Sequence, residues 1–213
     1  KESKKDRGEI SLFDDEKNRL QKTVSYLLSS YYSCSDHDKK VKLQQEISDT
    51  INKQLEAQAY NPSILAKLKE INLAENNKFF LWHTWFSDVF NREDKEGFDI
   101  VIGNPPYIGE KGHKEIFQSV KADIHLAQYY LGKMDYFYFF FHLAFNMLSP
   151  SGVATFITTN YYPTALGARK LRADIKDRIN IKTLFNLGEL RLFENAPGQH
   201  NMISSFSKGK NDC

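Results

Sequence analysis

The stretch Phe98-Asp99-Ile100-Val101-Ile102-Gly103-Asn104-Pro105-Pro106-Tyr107-Ile108-Gly109 constrains this chain more than any other. It opens as a short apolar run rich in β-branched residues and stops at Gly-Asn-Pro-Pro, the pattern of a buried strand ending in a rigid polar corner. Pro105 and Pro106 have a fixed φ and no N–H, so a strand does not continue through them. Pro105 also drives Asn104 towards an extended backbone. The expected product is a stiff loop that presents an amide side chain, a free backbone carbonyl and an aromatic ring side by side.

Those three groups together suit one kind of chemistry. An exocyclic amine conjugated to a ring or a carbonyl is a poor nucleophile because its lone pair is delocalised. Two acceptors placed against its N–H groups favour a pyramidal nitrogen with an available lone pair. The Asn104 side-chain oxygen and the Pro105 carbonyl are candidates for those acceptors, and Tyr107 offers a flat face for the ring that carries the amine. With a sulfonium as methyl donor no charged base is needed, and positioning and electrostatics do most of the work. The bland alternative is an ordinary strand-to-loop corner with a stacked tyrosine.

A chain of 213 residues suits one domain, or one with a small appendage, and 41% hydrophobic residues suffice for a core. A net charge of +2 neither demands nor excludes nucleic acid. Cys34 and Cys213 are the two cysteines; they build no disulfide framework and no metal site, which points to a reducing, cytoplasmic compartment. No apolar run is long enough for a membrane, and no signal peptide is evident. The chain opens on Lys1 and reads as a piece cut from something longer.

Residues 1–13 read as a frayed lead-in. From Asp14 the pattern turns helical, with Leu20, Val24, Leu27, Leu28 and Tyr31 on one face, and a second helix carries Leu43, Ile47, Ile51 and Leu55. Asn61-Pro62-Ser63 caps a third, short helix over 64–71. A helical lead-in over 1–75 is thus expected before an α/β part over 76–213. Trp82, Trp85 and Phe86 are expected against the strand that follows them, with His83 as a core or edge histidine.

After Tyr107, the segment 108–133 carries Lys111, Lys114, Lys121, Lys133, His113 and His125 and reads as a flexible basic loop, either facing a DNA backbone or merely connecting. Residues 135–148 form an aromatic helix, apolar nearly all round and hence buried on a sheet. Ser149-Pro150-Ser151-Gly152 ends it, with Gly152 in a positive-φ turn, and Val153–Thr159 is a strand. Strand, helix and strand in this order make a βαβ unit with parallel strands, whose ligands gather at the carboxyl ends, where Asn104 and Asn160 both fall. A basic helix over 165–178 presents Leu166, Leu171 and Ile175 inward. A strand over 179–187 and a last, antiparallel edge strand over 202–206 close the pattern.

Asn-Pro-Pro-Tyr after Phe-Asp-Ile-Val-Ile-Gly resembles the catalytic motif of methyltransferases that act on planar amines. The later Leu-Ser-Pro-Ser-Gly, Thr-Thr-Asn, Leu-Gly-Glu and Leu-Phe-Glu-Asn-Ala follow in the order seen in gamma-class N6-adenine DNA methyltransferases of type II restriction–modification enzymes. The resemblance implies a partial Rossmann-like methyltransferase sheet, the catalytic half and mostly parallel, preceded by a helical hairpin. It implies that Asn104 and Pro105 hold the target adenine amine, that Pro106 stiffens the corner, and that Tyr107 and Phe206 stack on the flipped base. It implies S-adenosylmethionine as methyl donor, with the main binding motif upstream of this chain, since Gly8 and Gly97 are the only glycines before the strand. This piece alone is then expected to be inactive. The implied partners are double-stranded DNA and the rest of the polypeptide: a cofactor-binding half, a target-recognition domain and, as an open alternative, an endonuclease. No metal is implied. Two other readings stay open: a protein-(glutamine-N5) methyltransferase of release factors, and a non-catalytic methylase-like scaffold that binds DNA or a partner.

Overall fold

The computed structural model describes residues 4–57, 82–190 and 200–209, with Ser63, Ala66, Leu192 and Phe193; side chains before Glu16 and those of Lys17 and Thr84 lie outside it. The chain divides into two compact units, Lys1–Asn91 and Arg92–Cys213.

In the first unit, α1 (Lys4–Ser33) and α2 (His37–Ala57) form the expected hairpin. α1 reaches back through the stretch expected to fray, because extending an existing helix adds a hydrogen bond per residue and the single Gly8 does not stop it. Asp36 caps α2 by accepting the Lys39 N–H at 3.1 Å. Val24, Leu27 and Leu28 close on Ile47 and Ile51, and Tyr31, Leu43 and Leu55 flank them, so the four-residue spacing marks the inner faces correctly. The short helices α3 (Trp82–Trp85) and α4 (Ser87–Phe90) follow. Trp85 packs on the hairpin core, and Ser25 Oγ donates to Asp88 Oδ1 at 2.5 Å. Residues 82–91 therefore belong with the helices, and the unit boundary falls after Asn91 rather than at 75. The third helix expected over 64–71 lies outside the described residues, apart from Ala66, which is helical.

The second unit comprises β1 (Phe98–Gly103), α5 (Lys114–Ala122), a 3-10 turn at Ala127–Tyr129, α6 (Phe137–Met147), β2 (Leu148–Thr159), a 3-10 turn at Leu166–Ala168, α7 (Arg169–Arg178), β3 (Ile179–Asn186) and β4 (Asn201–Lys208). The strands order β1-β2-β4-β3. β1 pairs parallel with β2, while β4 runs antiparallel to both β2 and β3, so β1, β2 and β3 share one direction. β4 was expected at an edge and instead fills the slot between β2 and β3. There its backbone groups pair on both sides, which an edge strand does not achieve.

α6 lies on this sheet. Phe137, Phe141 and Phe145 are fully buried, and Phe141 meets Phe156 of β2 and Phe206 of β4 with ring centroids 4.8 and 5.5 Å apart. The last residue of β1 is a glycine because the Phe156 ring lies over it: a Cβ at Gly103 would sit 2.8 Å from Phe156 Cε1. Gly152 does not take positive φ. It lies inside β2, where a Cβ would stand 2.5 Å from the Phe98 carbonyl oxygen, so close approach of β1 demands the glycine. On α7, Leu171 and Ile175 face the core as expected, whereas Leu166 is exposed, because the 3-10 turn changes the helical phase before Arg169.

The basic residues of α7 are largely spent on the fold. Lys170 Nζ donates to the carbonyls of Gln128 and Tyr130 at 2.6 and 2.7 Å, and Arg172 donates to those of Tyr162 and Ala165. Arg178 grips Asp174. Asp174 in turn meets the fully buried His142 of α6, with Nδ1 2.5 Å from Oδ2 and the imidazole stacked on Tyr129. Burial raises the Asp174 carboxyl, but hydrogen bonds from His142 and Arg178 outweigh it and hold the group at about 2. For His142 burial wins in the other direction and pushes the imidazole below its ordinary value despite Asp174, consistent with a neutral ring whose Nε2 has no partner among the described residues. The unfolded chain takes up a proton near pH 6.5 that folded His142 refuses. Its contribution is therefore intact above that pH and is lost as pH falls through it; Asp174 adds a second loss towards about 2. Urea unfolding midpoints measured from pH 7 to pH 5 are expected to fall for the native sequence and to fall less for His142→Asn. Equal slopes refute the assignment.

Candidate active site

β1 delivers the corner. Gly103 pairs with Phe156, and the chain then leaves the sheet at Asn104, with Asn104 exposed and Pro105 buried. Tyr107 is half-buried and rests edge-on against Phe137 of α6, 6.0 Å between centroids. Its hydroxyl lies 2.6 Å from Asn104 Oδ1 and 3.0 Å from the Ile157 carbonyl oxygen of β2. A hydroxyl has one proton, and the shorter separation marks Asn104 as its acceptor. Burial pushes the Tyr107 hydroxyl pKa up, and a hydrogen bond from the Asn201 side chain counters part of that.

Asn104, Pro105, Pro106 and Tyr107 therefore stand together at the carboxyl end of β1. Phe206 does not join them. It is fully buried, packed against Phe141 and Phe145, and pairs with Ala154 in the interior of the sheet. The corner leaves β1 after Gly103, which is level with Phe156 of β2 and, beyond it, with Ser204 of β4. The burial of Phe206 against α6, rather than its place along β4, keeps it from facing a base held at Asn104.

Asn201 is a buried polar residue at the sheet's carboxyl rim that the sequence pattern misses. It is 1% exposed, and its Nδ2 approaches the Thr158 carbonyl at 3.4 Å. Only the slot of β4 between β2 and β3 brings it to the carboxyl ends, and no local signal encodes that slot. The same rim carries Asn160, which donates to Asn186 Oδ1 at 3.1 Å, and the half-exposed Tyr161, whose hydroxyl lies 3.3 Å from Asp135 Oδ1. Burial raises the Asp135 carboxyl pKa, while hydrogen bonds from Tyr138 and Tyr161 oppose the rise.

The segment after the corner is not a free loop. Gly109 bridges to Asp135, and backbone bonds join Tyr136 N to Ile108 O at 2.8 Å and Glu110 N to Met134 O at 2.9 Å. Tyr130 donates its hydroxyl to Glu110, and Lys121 lies 3.9 Å from the same carboxylate and over the Tyr130 ring. Phe117 and Val120 of α5 enter the core. Lys111, His113 and Lys114 stay exposed on this pinned segment, which therefore presents charge from a fixed frame.

Residues for a methyl donor are a different matter. Of the two glycines before β1, Gly8 lies within α1, and a Cβ on Gly97 would collide with the backbone of Leu148 and Ser149. The described residues before β1 thus form no glycine-rich loop fit to hold S-adenosylmethionine. Among the described residues no group of His, Cys, Asp and Glu is placed to hold a metal ion, and no helix is long and apolar enough to cross a membrane.

The chain is 28% identical over 126 residues to Type II methyltransferase M.HincII of Haemophilus influenzae, covering 59% of this chain and 25% of that protein. It is 28% identical over 126 residues to Type II methyltransferase M.HindII of the same species, covering 24% of it. The chain thus spans about a quarter of the length of these relatives. A crystal structure described as a class I S-adenosylmethionine-dependent methyltransferase, from Listeria monocytogenes, aligns with a TM-score of 0.42 and 18% identity over 55% of this chain and 33% of that one. The family model described as Eco57I restriction-modification methylase matches residues 13–193, and the chain belongs to that family.

Proposed function

We propose that this chain carries the target-amine corner of a DNA methyltransferase that moves a methyl group from S-adenosylmethionine to the N6 amine of a flipped adenine, within a restriction–modification system. The observation that carries the reading is the exposed Asn104 amide at the end of β1, held by the Tyr107 hydroxyl. Family membership supports a restriction–modification methylase.

An adenine amine conjugates its lone pair into the ring and attacks poorly. Asn104 Oδ1 has two lone pairs; Tyr107 takes one and leaves the other for an N–H of the amine. The Pro105 carbonyl accepts the second N–H. With both hydrogens directed at fixed acceptors, the nitrogen is drawn out of the ring plane and its lone pair is released. Tyr107 supports the base from one side, its ring seated on Phe137. The corner holds no charged base, so positioning and fixed dipoles carry the effect. The exposed Lys111 and Lys114 lie where they suit a phosphate backbone. The cradle for the methyl donor is assigned to parts of the polypeptide other than the described residues before β1, and the chain on its own is expected not to transfer methyl groups.

In the full-length protein, label from methyl-tritiated S-adenosylmethionine is expected in DNA, and nucleoside analysis is expected to find it in N6-methyladenine. Label in a protein glutamine would favour a release-factor methyltransferase instead. Label in cytosine, or no transfer with the donor bound, defeats the adenine reading.

A further inference from the structure

We propose that Lys111 and Lys133 together hold one phosphate of the substrate DNA, on the segment that leaves the Asn104 corner. This deepens the reading of the chain as part of a DNA methyltransferase and rests on it.

Backbone bonds bring the two lysines together. Residues 108–110, just past Tyr107, run antiparallel to residues 134–136. Tyr136 N donates to Ile108 O at 2.8 Å, Glu110 N donates to Met134 O at 2.9 Å, and Gly109 is bridged to Asp135 between them. Lys111 follows Glu110 and Lys133 precedes Met134, so each stands one residue past the last of these bonds, on opposite sides of it. Their Cα atoms are then at most about 13 Å apart, within the combined reach of two lysine side chains. Both are exposed. Two ammonium groups so placed repel each other. The carboxylates beside them are engaged elsewhere: Asp135 accepts from Tyr138 and Tyr161 at 3.2 and 3.3 Å, and Glu110 accepts from Tyr130 with Lys121 3.9 Å away. Among the described residues neither the Lys111 nor the Lys133 ammonium has a carboxylate partner.

Lys133 is also held in a backbone conformation that lysine disfavours. Its φ is 51°, in the left-handed region where a Cβ crowds the carbonyl that follows and glycine is the easy choice. Packing fixes it there: a Cβ on Gly167 would stand 2.0 Å from the Lys133 carbonyl oxygen, Met134 is buried, and Leu131 N donates to Met134 Sδ at 3.1 Å. A glycine at 133 would fit this frame without strain. The frame draws no ion pair from the Lys133 side chain among the described residues, so the fold does not explain why a lysine stands there. A strained backbone that carries a cation free to act marks a functional position. A phosphodiester accounts for both features. Its single negative charge removes the repulsion, and its two free oxygens offer one acceptor to each ammonium.

The test measures binding of the full-length protein to a short unmethylated duplex that contains the sequence it methylates, over a series of salt concentrations, for the native protein, Lys133→Gly, Lys111→Gln and the pair. Glycine keeps the left-handed backbone and removes only the side chain, so Lys133→Gly is expected to melt no lower than the native protein while binding DNA about fivefold more weakly. Because the lysines share one phosphate, the slope of log affinity against log salt is expected to shrink by about 0.9 in the pair. A change of about 1.8 means two separate phosphates and overturns the shared site; an unchanged slope overturns it outright. Lys176→Gln, near the end of α7 that leads into β3, is expected to keep the native slope, and an equal loss there would make the effect one of diffuse charge and defeat the proposal. A Lys133→Gly protein that melts below the native one assigns the side chain to the fold, with the same consequence. Inorganic phosphate added at constant ionic strength is expected to leave the native melting temperature unchanged; a rise that Lys133→Gly abolishes means a free-anion site in place of a DNA contact. A native enzyme that methylates no DNA is a different failure, that of the underlying reading, whereas DNA methylation with an unchanged slope in the pair removes the lysine site alone.

Discussion

Replacing Asn104 by alanine in the full-length protein is expected to lower the rate of methyl transfer about a thousandfold, the upper range for removing one preorganised polar group from a reacting centre. Stability is expected to stay within about 0.5 kcal/mol of the native value, because the side chain is exposed and its loss opens no cavity. What disappears is an acceptor for the amine and the proton acceptor of Tyr107. Asn104→Asp separates those functions from charge. A carboxylate still accepts from both the tyrosine and an amine, so this variant is expected to keep more activity than alanine. Initial rates with labelled donor, beside thermal melts, read both quantities. A native rate in Asn104→Ala removes this residue from the chemistry, and a collapsed melting temperature reassigns it to the fold.

The corner is legible in the sequence because every force that shapes it is local. β-branched residues extend β1, two prolines end it, and a glycine admits the Phe156 ring. The inner faces of α1 and α2 and the burial of α6 are legible for the same reason, since hydrophobic spacing is read within a helix. What escapes is non-local. Nothing within Asn201–Lys208 states which two strands will flank it, and with that placement go the arrival of Asn201 at the carboxyl rim and the burial of Phe206. A shift of one residue in pairing would turn Phe206 to the opposite face, so register, not residue type, decides its role. The lysines after Tyr107 look free in sequence, while contacts to Glu110, Met134 and Asp135, which lie up to 25 positions apart, pin the segment that carries them. His142 gives no warning either: in an apolar helix it reads as an interruption, and its partner Asp174 lies on another helix.

Phe141→Ala is expected to be the most damaging single truncation in the sheet unit, costing about 3–5 kcal/mol. The ring is 0% exposed and meets five others: Phe137 and Phe145 on its own helix, Phe156 on β2, Tyr162 after β2, and Phe206 on β4. The partners on β2 and β4 belong to the strands that pair at the centre of the sheet, so the cavity would open where α6 is fastened and could not be closed by moving one side chain. A loss of that size corresponds to a drop of on the order of 10 °C in melting temperature. Phe140 is the control: it is only partly buried, with an edge contact to Tyr136, and its truncation is expected to cost less than half as much. The site should register the difference as well. Phe137 touches both Phe141 and Tyr107, so a loosened Phe137 releases the platform on which the phenol rests. Below its melting temperature, Phe141→Ala should therefore show a raised KM for DNA, whereas Phe140→Ala should not. Equal destabilisation by the two variants would mean that α6 is held by its helix-wide burial rather than by the ring at its centre.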